Sequence, residues 1–177
     1  MRQSNTVDAF DRSAHMSKIR GRDTRPELAL RAALHARGLR FRANDRRLPG
    51  TPDLVFPRYR AAVFVHGCFW HGHDCPLGAI PSTRREFWLD KFARNRARDA
   101  RVRVELEEAG WRVLEVFECS WRGQAAGAHQ DVVDAVERWL EGDEPSMREL
   151  RGPHPAPPSS WVAHRYCPPC IRSARHE

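Results

Sequence analysis

The sequence predicts a mixed α/β sandwich. Residues 61–66 and 111–118 read as near-continuous apolar strands, as central strands do, and a helical stretch over 84–109 separates them. Helix-start signals open two of the helices, at Thr24-Arg25-Pro26-Glu27 and at Thr83-Arg84-Arg85-Glu86.

The elements follow in order. Residues 1–22 lack a clear period and read as an arm or short helix. Thr24 can cap a helix, Pro26 fits its first turn and Glu27 completes a capping box. Leu28, Leu30, Ala32, Ala33 and Leu34 carry that helix to about Arg37, and Gly38 ends it. Leu39, Phe41 and Ala43 alternate with Arg40 and Arg42, as in a short strand. Residues 48–52, Leu-Pro-Gly-Thr-Pro, form a turn. A strand over 53–56 then starts with a carboxylate. Residues 67–82 have no regular period. The helix over 84–109 stops at Gly110, the strand over 111–118 follows, and a last helix over 129–140 runs along Val132, Val133, Val136 and Leu140. The predicted order is α-β-β-β-α-β-α. Past Gly142 the composition changes: seven of the 13 prolines fall in 145–177, which reads as a flexible tail. The expected organisation is an arm over 1–22, one folded domain over 23–142 and a Pro-rich tail over 143–177.

Length and composition suit one globular domain with a real core: 177 residues, 41% of them hydrophobic. No apolar run approaches the ~18 residues of a membrane span, and residues 1–17 lack the apolar core of a secretory signal. A cytoplasmic protein without a membrane partner is expected, so the five cysteines point to metal ligation or free thiols over disulfides. The net charge of +7 is unevenly spread. Residues 1–47 carry +7 and 84–103 carry +5, whereas 104–144 carry −8. Two basic segments with an acidic face turned away suit a polyanion, and nucleic acid is the first partner to consider.

The loop after the 61–66 strand holds Cys68-Phe69-Trp70-His71-Gly72-His73-Asp74-Cys75, and Cys119 lies just past the 111–118 strand. Cys68, His73, Cys75 and Cys119 would make a Cys3His set, a tetrahedral structural zinc type. On spacing alone His71 could stand in for His73. Ordinary buried thiols need no ion, but such crowding of soft ligands in one loop favours zinc. Cys167-Pro168-Pro169-Cys170 is a separate pair with no second pair nearby to complete a site.

A second constellation suits phosphodiester chemistry. Asp53 opens a strand, and the next strand ends at Phe64-Val65-His66. A carboxylate beside a central-strand end is where metal-dependent phosphodiester hydrolases place Mg2+. Glu27 could face the same metal or only cap its helix. On the 84–109 helix, Trp88, Phe92, Asn95, Asp99, Val102 and Leu106 follow helical spacing, which turns Asn95 and Asp99 inward. A carboxylate there needs a partner. One reading pairs Asp99 with a histidine such as His71 and holds that imidazole ready to handle a proton. The other breaks the helix near Asn95. Phe69, Trp70 and Trp88 are either core or wedges that enter a base stack.

Together these residues resemble the very short patch repair (Vsr) DNA mismatch endonuclease family. The matching features are Arg12-Ser13…Met16…Ile19…Thr24…Glu27, then residues 48–53, Leu-Pro-Gly-Thr-Pro-Asp. They continue with residues 64–71, Phe-Val-His-Gly-Cys-Phe-Trp-His, then Cys75, Thr83-Arg84…Glu86-Phe87-Trp88-Leu89 and residues 110–114. The similarity spans roughly 12–140, and the His-Gly-Cys-Phe-Trp-His run is highly specific. The resemblance implies a restriction-endonuclease-like three-layer core with a mixed central sheet flanked by helices, plus one structural zinc. It implies nicking of one strand of duplex DNA, 5′ of the T in a T·G mismatch left by deamination of 5-methylcytosine. Asp53 would be the central ligand of catalytic Mg2+, two ions in all, helped by the carbonyl of Val65. Glu27 would act through a water on the metal. His71 and Asp99 would position or deprotonate the attacking water, and His66 would lie beside the scissile phosphate. Phe69, Trp70 and Trp88 would intercalate, assisted by Met16 from the arm. The zinc ligands would be Cys68, His73, Cys75 and Cys119, which frees His71 for chemistry. Restriction-type sites usually carry Glu-x-Lys on the second strand, and here those positions are Phe64 and His66. Gly72, Asp74 and the Pro-rich tail with Cys167 and Cys170 depart from the family pattern.

Two competing functions are a restriction-type endonuclease that needs no mismatch and a zinc-stabilised DNA-binding module that does not cleave. The joint presence of Asp53, His66, His71 and Asp99 favours an enzyme. A monomer is expected, since one nick needs no dimer, and mismatch-repair proteins are candidate partners.

Overall fold

The computed structural model describes residues 22–121, 128–142 and 147–152. Among them are three α-helices, α1 (Arg25–Ala36), α2 (Arg85–Glu108) and α3 (Ala128–Glu141), and five strands. The strands are β1 (Arg42–Ala43), β2 (Leu54–Phe56), β3 (Ala61–His66), β4 (Arg112–Phe117) and β5 (Glu149–Leu150). They form one mixed sheet in sequential order. β1, β2 and β3 pair antiparallel, and β3, β4 and β5 pair parallel. The parallel β3–β4 step is bridged by α2, as a parallel step requires.

Alternation along the central strands separates two cores. Leu54, Phe56, Ala61, Val63, Leu114 and Val116 face α1 and α3, where they meet Leu30, Leu34, Val136 and Trp139. Ala62 and Val113 face the other way, against Leu106 of α2 with Val102 and Phe64 beside it. The sheet is thus covered on both faces. Each fully buried side chain of this size contributes on the order of 1.5–3 kcal/mol by leaving water. Arg37, at the end of α1, bonds both Asp134 and Glu137 of α3 and ties the two helices sharing a face.

Several expectations need correction. The strand expected over 39–43 is reduced to Arg42 and Ala43, both exposed at the sheet edge. The helix over Arg85–Glu108 is continuous through Asn95, so no break relieves its polar stripe. Thr83 does not cap it. Arg84 is the N-cap, in a left-handed conformation with φ 52° and no side-chain cap bond. At α1 the Thr24 hydroxyl donates to Glu27 Oε1 (2.7 Å), while Glu27 Oε2 accepts the N–H of Asp23 (2.7 Å). The expected capping box does not form, because the Thr24 hydroxyl is spent on Glu27 and caps no helix N–H. Residues 149–150, placed in the tail on composition, pair with β4 as the fifth strand. Two residues are too few to carry a period.

The turn before β2 sets where Asp53 emerges. Gly50 has φ +71°, and a Cβ there would lie 2.4 Å from Val102 Cγ1 on α2. Only a residue without a side chain fits that approach. Asp45 opens the turn, 8% exposed. It accepts the Arg47 N–H (3.1 Å) and the Arg47 guanidinium (2.8 Å). The guanidinium holds its carboxyl down at about 2. The fold therefore favours the ionised form. This stabilisation is complete above the unfolded value, near 4, and is lost as pH falls through about 2. The stability gap between wild type and Asp45→Asn, read by urea denaturation, is expected to narrow across that window. A gap that stays constant would contradict this role.

Candidate active site and metal centre

The chemistry gathers at the carboxyl ends of the parallel strands β3 and β4, where open α/β sheets place their ligands. Because β2 runs antiparallel to β3, Asp53 at the start of β2 arrives beside the end of β3. Its Oδ2 accepts the N–H of Val65 at 2.8 Å. Burial pushes the Asp53 carboxyl up to about 6; the Val65 bond opposes the rise and the nearby Glu27 charge adds to it. Glu27 is 3% exposed. Its oxygens are committed to Thr24 and Asp23, and Oε2 also lies 3.4 Å from Arg31 Nη2. The same Arg31 nitrogen reaches Asn44 Oδ1 (3.2 Å) and the Asp53 carbonyl (3.3 Å). Arg31 is thus the clamp behind Asp53 and Glu27. Sequence reasoning missed it, and its only signal is the one-turn spacing from Glu27.

His66 ends β3, and the loop folds back so that the His71 ring lies 3.8 Å from it, centroid to centroid. His71 Nδ1 is 2.7 Å from Asp99 Oδ2. His66, His71 and Asp99 bring one ligand atom each within 4.8 Å of the others. Burial, and then the charge of His71, push His66 down to about 3, so its imidazole is neutral near neutral pH. Asp99 is held below the usual carboxylate value: burial works against this, and the His71 bond outweighs it. Asn95, one turn before Asp99, donates to the Trp70 carbonyl at 2.7 Å. The two inward polar residues of α2 therefore both serve the loop. A cleft of about 510 Å³ opens here, lined by His66, His71, Asp99, Arg96, Arg103 and Glu115 among others. Half-buried Arg103 pairs through Nη2 with buried Glu115 at 2.5 Å, and Glu115 Oε1 lies 4.0 Å from His66 Nε2; sequence reasoning missed both residues.

Beside the cleft, Phe69, Trp70 and Trp88 form one half-buried aromatic cluster. Ring centroids are 5.2 Å apart for Phe69–Trp70, 5.0 Å for Phe69–Trp88 and 6.5 Å for Trp70–Trp88. The cluster rests on Phe92, which is 1% exposed and touches both Phe69 and Trp88. Phe87, 44% exposed, extends it outward. Met16 and the Cys167/Cys170 pair lie outside the described residues, as does the arm through residue 21.

On the other side of the loop, Cys68, His73, Cys75 and Cys119 bring their donor atoms within 4.8 Å of one another. This set can hold one metal ion. His71, the alternative on spacing, points to Asp99 instead. Backbone bonds shape the loop: His73 N–H donates to the Cys68 carbonyl and Cys75 N–H to the His73 carbonyl, both at 2.9 Å. Gly78 packs so closely that a Cβ there would lie 1.9 Å from the His73 carbonyl oxygen. The Cys68 thiol is pushed far up by its contact with Cys119 and by burial. Thiols this crowded cannot share out negative charge by themselves. A bound cation resolves that conflict.

The chain is similar in sequence to known DNA endonucleases. The family model described as DNA mismatch endonuclease Vsr matches residues 4–77. The DNA mismatch endonuclease Vsr of Escherichia coli strain K12 is 43% identical over 148 residues, covering 83% of this chain and 95% of that protein. The type II nicking enzyme V.XorIIP of Xanthomonas oryzae pv. oryzae is 51% identical over 104 residues, 59% of this chain and 76% of its own. The type II nicking enzyme V.NmeAIP of Neisseria meningitidis is 44% identical over 114 residues, 64% and 81% respectively. The class these matches define is the DNA nicking endonucleases. Within that class, the chain belongs to the Vsr DNA mismatch endonuclease family.

Phe92→Ala removes the floor of the aromatic cluster. It is expected to cost about 3–5 kcal/mol of folding stability. Chemical denaturation with tryptophan fluorescence reads both the loss and the changed environment of Trp70 and Trp88. A loss under about 1 kcal/mol would show that the cluster does not rest on Phe92.

Proposed function

We propose that the protein is a Mg2+-dependent, strand-specific endonuclease that nicks duplex DNA 5′ of the T in T·G mismatches arising from 5-methylcytosine deamination. It works as a monomer at the nucleoid in the cytoplasm. The observation that carries this reading is the meeting of Asp53 with the end of β3, with His66, His71 and Asp99 gathered at that same strand end. The core is read as the restriction-endonuclease-like type, with residues 1–22 as a DNA-contacting arm, 23–142 together with β5 as the endonuclease domain, and the Pro-rich residues beyond 152 as an appended segment.

Asp53 and the carbonyl of Val65 would hold Mg2+, in a two-ion arrangement. The residues fit the ion. Asp53 is a desolvated carboxylate with Glu27 close by, and burial and the Glu27 charge raise it more than the Arg31 charge and the Val65 N–H lower it, so a cation would relieve the excess. Bound Mg2+ supplies charge neutralisation at the scissile phosphate and a more acidic attacking water. The protein's groups do the rest. His71, with its Nδ1 proton donated to Asp99, turns the Nε2 lone pair to the cleft and takes a proton from the attacking water. His66, neutral and buried, lies against the phosphate without adding a charge that must be desolvated. Glu27 is assigned a supporting role, setting the negative field around Asp53.

Phe69, Trp70 and Trp88, with Met16 from the arm, enter the base stack beside the mismatch. A wobble pair is easier to unstack than a matched one, so a wedge discriminates by energy. Cys68, His73, Cys75 and Cys119 hold one structural zinc, and their Cys3His donor chemistry fits a closed tetrahedral site.

End-labelled duplexes carrying T·G in several flanking contexts, with T·A controls and Mg2+, test the reading. A nick just 5′ of the mismatched T, absent from T·A, is expected. Cutting of both sets points instead to a restriction-type enzyme. Asp53→Ala should lower nicking by at least about 1,000-fold, roughly 4 kcal/mol of transition-state stabilisation, while mismatch binding survives. Normal turnover by that variant sinks the assignment.

A further inference from the structure

The two ring nitrogens of His73 face different partners. Nδ1 lies 3.6 Å from Cys119 Sγ, within the sulfur cluster. Nε2 lies 3.2 Å from Glu149 Oε1 on β5. That carboxylate is braced by Arg151 Nε at 3.4 Å. Three residues after Glu149, the Gly152 N–H reaches Cys119 Sγ at 3.5 Å. One short segment therefore touches two of the four candidate ligands from outside. Its own sheet pairing is slight, since only Glu149 and Leu150 register against β4.

We propose that residues 149–152 form the outer shell of the metal centre. Glu149 is a positioning residue that holds His73 in the tautomer that ligates through Nδ1, and the Gly152 N–H supports the charge on the Cys119 sulfur. The proposal rests on the zinc reading above. An imidazole that ligates through Nδ1 carries its proton on Nε2. A carboxylate that accepts this proton fixes the ring orientation and raises the basicity of the ligating nitrogen. An N–H aimed at a ligating sulfur likewise favours its thiolate form. Linkage makes the effect reciprocal: if docking of β5 tightens metal binding, bound metal tightens the docking of β5 by the same factor.

The test uses the full chain. The Zn2+ dissociation constant is measured by competition with a chromophoric chelator for wild type, Glu149→Ala and Glu149→Gln, and visible spectra are recorded for each protein loaded with Co2+. Glu149→Ala is expected to weaken Zn2+ binding about 10- to 100-fold and to shift the Co2+ bands. Glu149→Gln keeps an acceptor oxygen for Nε2 but loses the ion pair with Arg151, and is expected to restore most of the affinity. This rescue separates support of His73 from a merely structural ion pair. Tight binding by wild type and by Glu149→Ala alike overturns the proposal and leaves the zinc reading standing. Equal weakening in both variants also overturns it, because the Arg151 pair then accounts for the effect. A wild-type chain that binds no Zn2+ tightly defeats the zinc reading and the proposal with it. Should the alanine variant fail to fold, the glutamine variant decides: near-wild-type affinity with an unshifted spectrum supports the proposal, and a tenfold or greater loss overturns it.

Discussion

The loop after β3 has little regular structure of its own, and two polar side chains of α2 hold it in place. Asn95 pins the Trp70 carbonyl and Asp99 pins His71, four residues apart on one helix face. Between those two points the chain must carry Trp70 one way and His71 the other. The aromatic cluster and the histidine pair are thus set by the same two bonds. Neither polar group could sit on that face of the helix without a partner, because burying an unpaired carboxylate or amide is costly. The requirement works in both directions: the loop needs the helix to be ordered, and the helix needs the loop to satisfy its polar stripe.

The metal-ligand cluster fastens the other end of the same loop. Cys68 follows His66 by two residues, and Cys119 follows β4, the strand parallel to β3. A metal ion joining these two sulfurs would clamp the carboxyl ends of the two central strands. His73 and Cys75 close the loop onto that clamp. Charge is arranged with the same economy. Arg31 clamps the Asp53 and Glu27 side, and Arg103 neutralises Glu115 beneath the histidines. The cleft on the histidine side is lined by His66 and His71 together with Arg96, Arg103 and Arg151.

Much of this was legible in the residue pattern, for physical reasons. A 3.6-residue period has to place Asn95 and Asp99 on the inward stripe, and burial then demands partners. Apolar runs at 61–66 and 111–118 mark central strands because both faces of such strands are covered. The soft-ligand crowding between Cys68 and Cys75 is rare enough to stand out. What stayed hidden has physical causes too. β5 is too short to show alternation, so its residues passed for part of a Pro-rich tail. Arg31, Arg103 and Glu115 act through pairings distant in sequence, and an arginine in an arginine-rich chain carries no mark. The spacing at Glu27 allowed both capping and metal service. Only the positions of Asp23, Thr24 and Arg31 show how its oxygens are used.

The contact between Gly50 and Val102 has a consequence for how the two sides of the candidate site are gauged. Asp53 is delivered by the turn that contains Gly50, and His71 is delivered by the helix that contains Val102. Where the turn touches the helix, nothing but a hydrogen separates the backbone of one from the side chain of the other. That touch works as a mechanical stop. It fixes how closely the turn that precedes Asp53 can lie against the helix that carries Asp99. The packing of the candidate site thus depends on a residue that contributes no side chain to it. Any side chain at position 50 would meet Val102 and force one of the two to give way, and a left-handed φ of +71° would strain it besides.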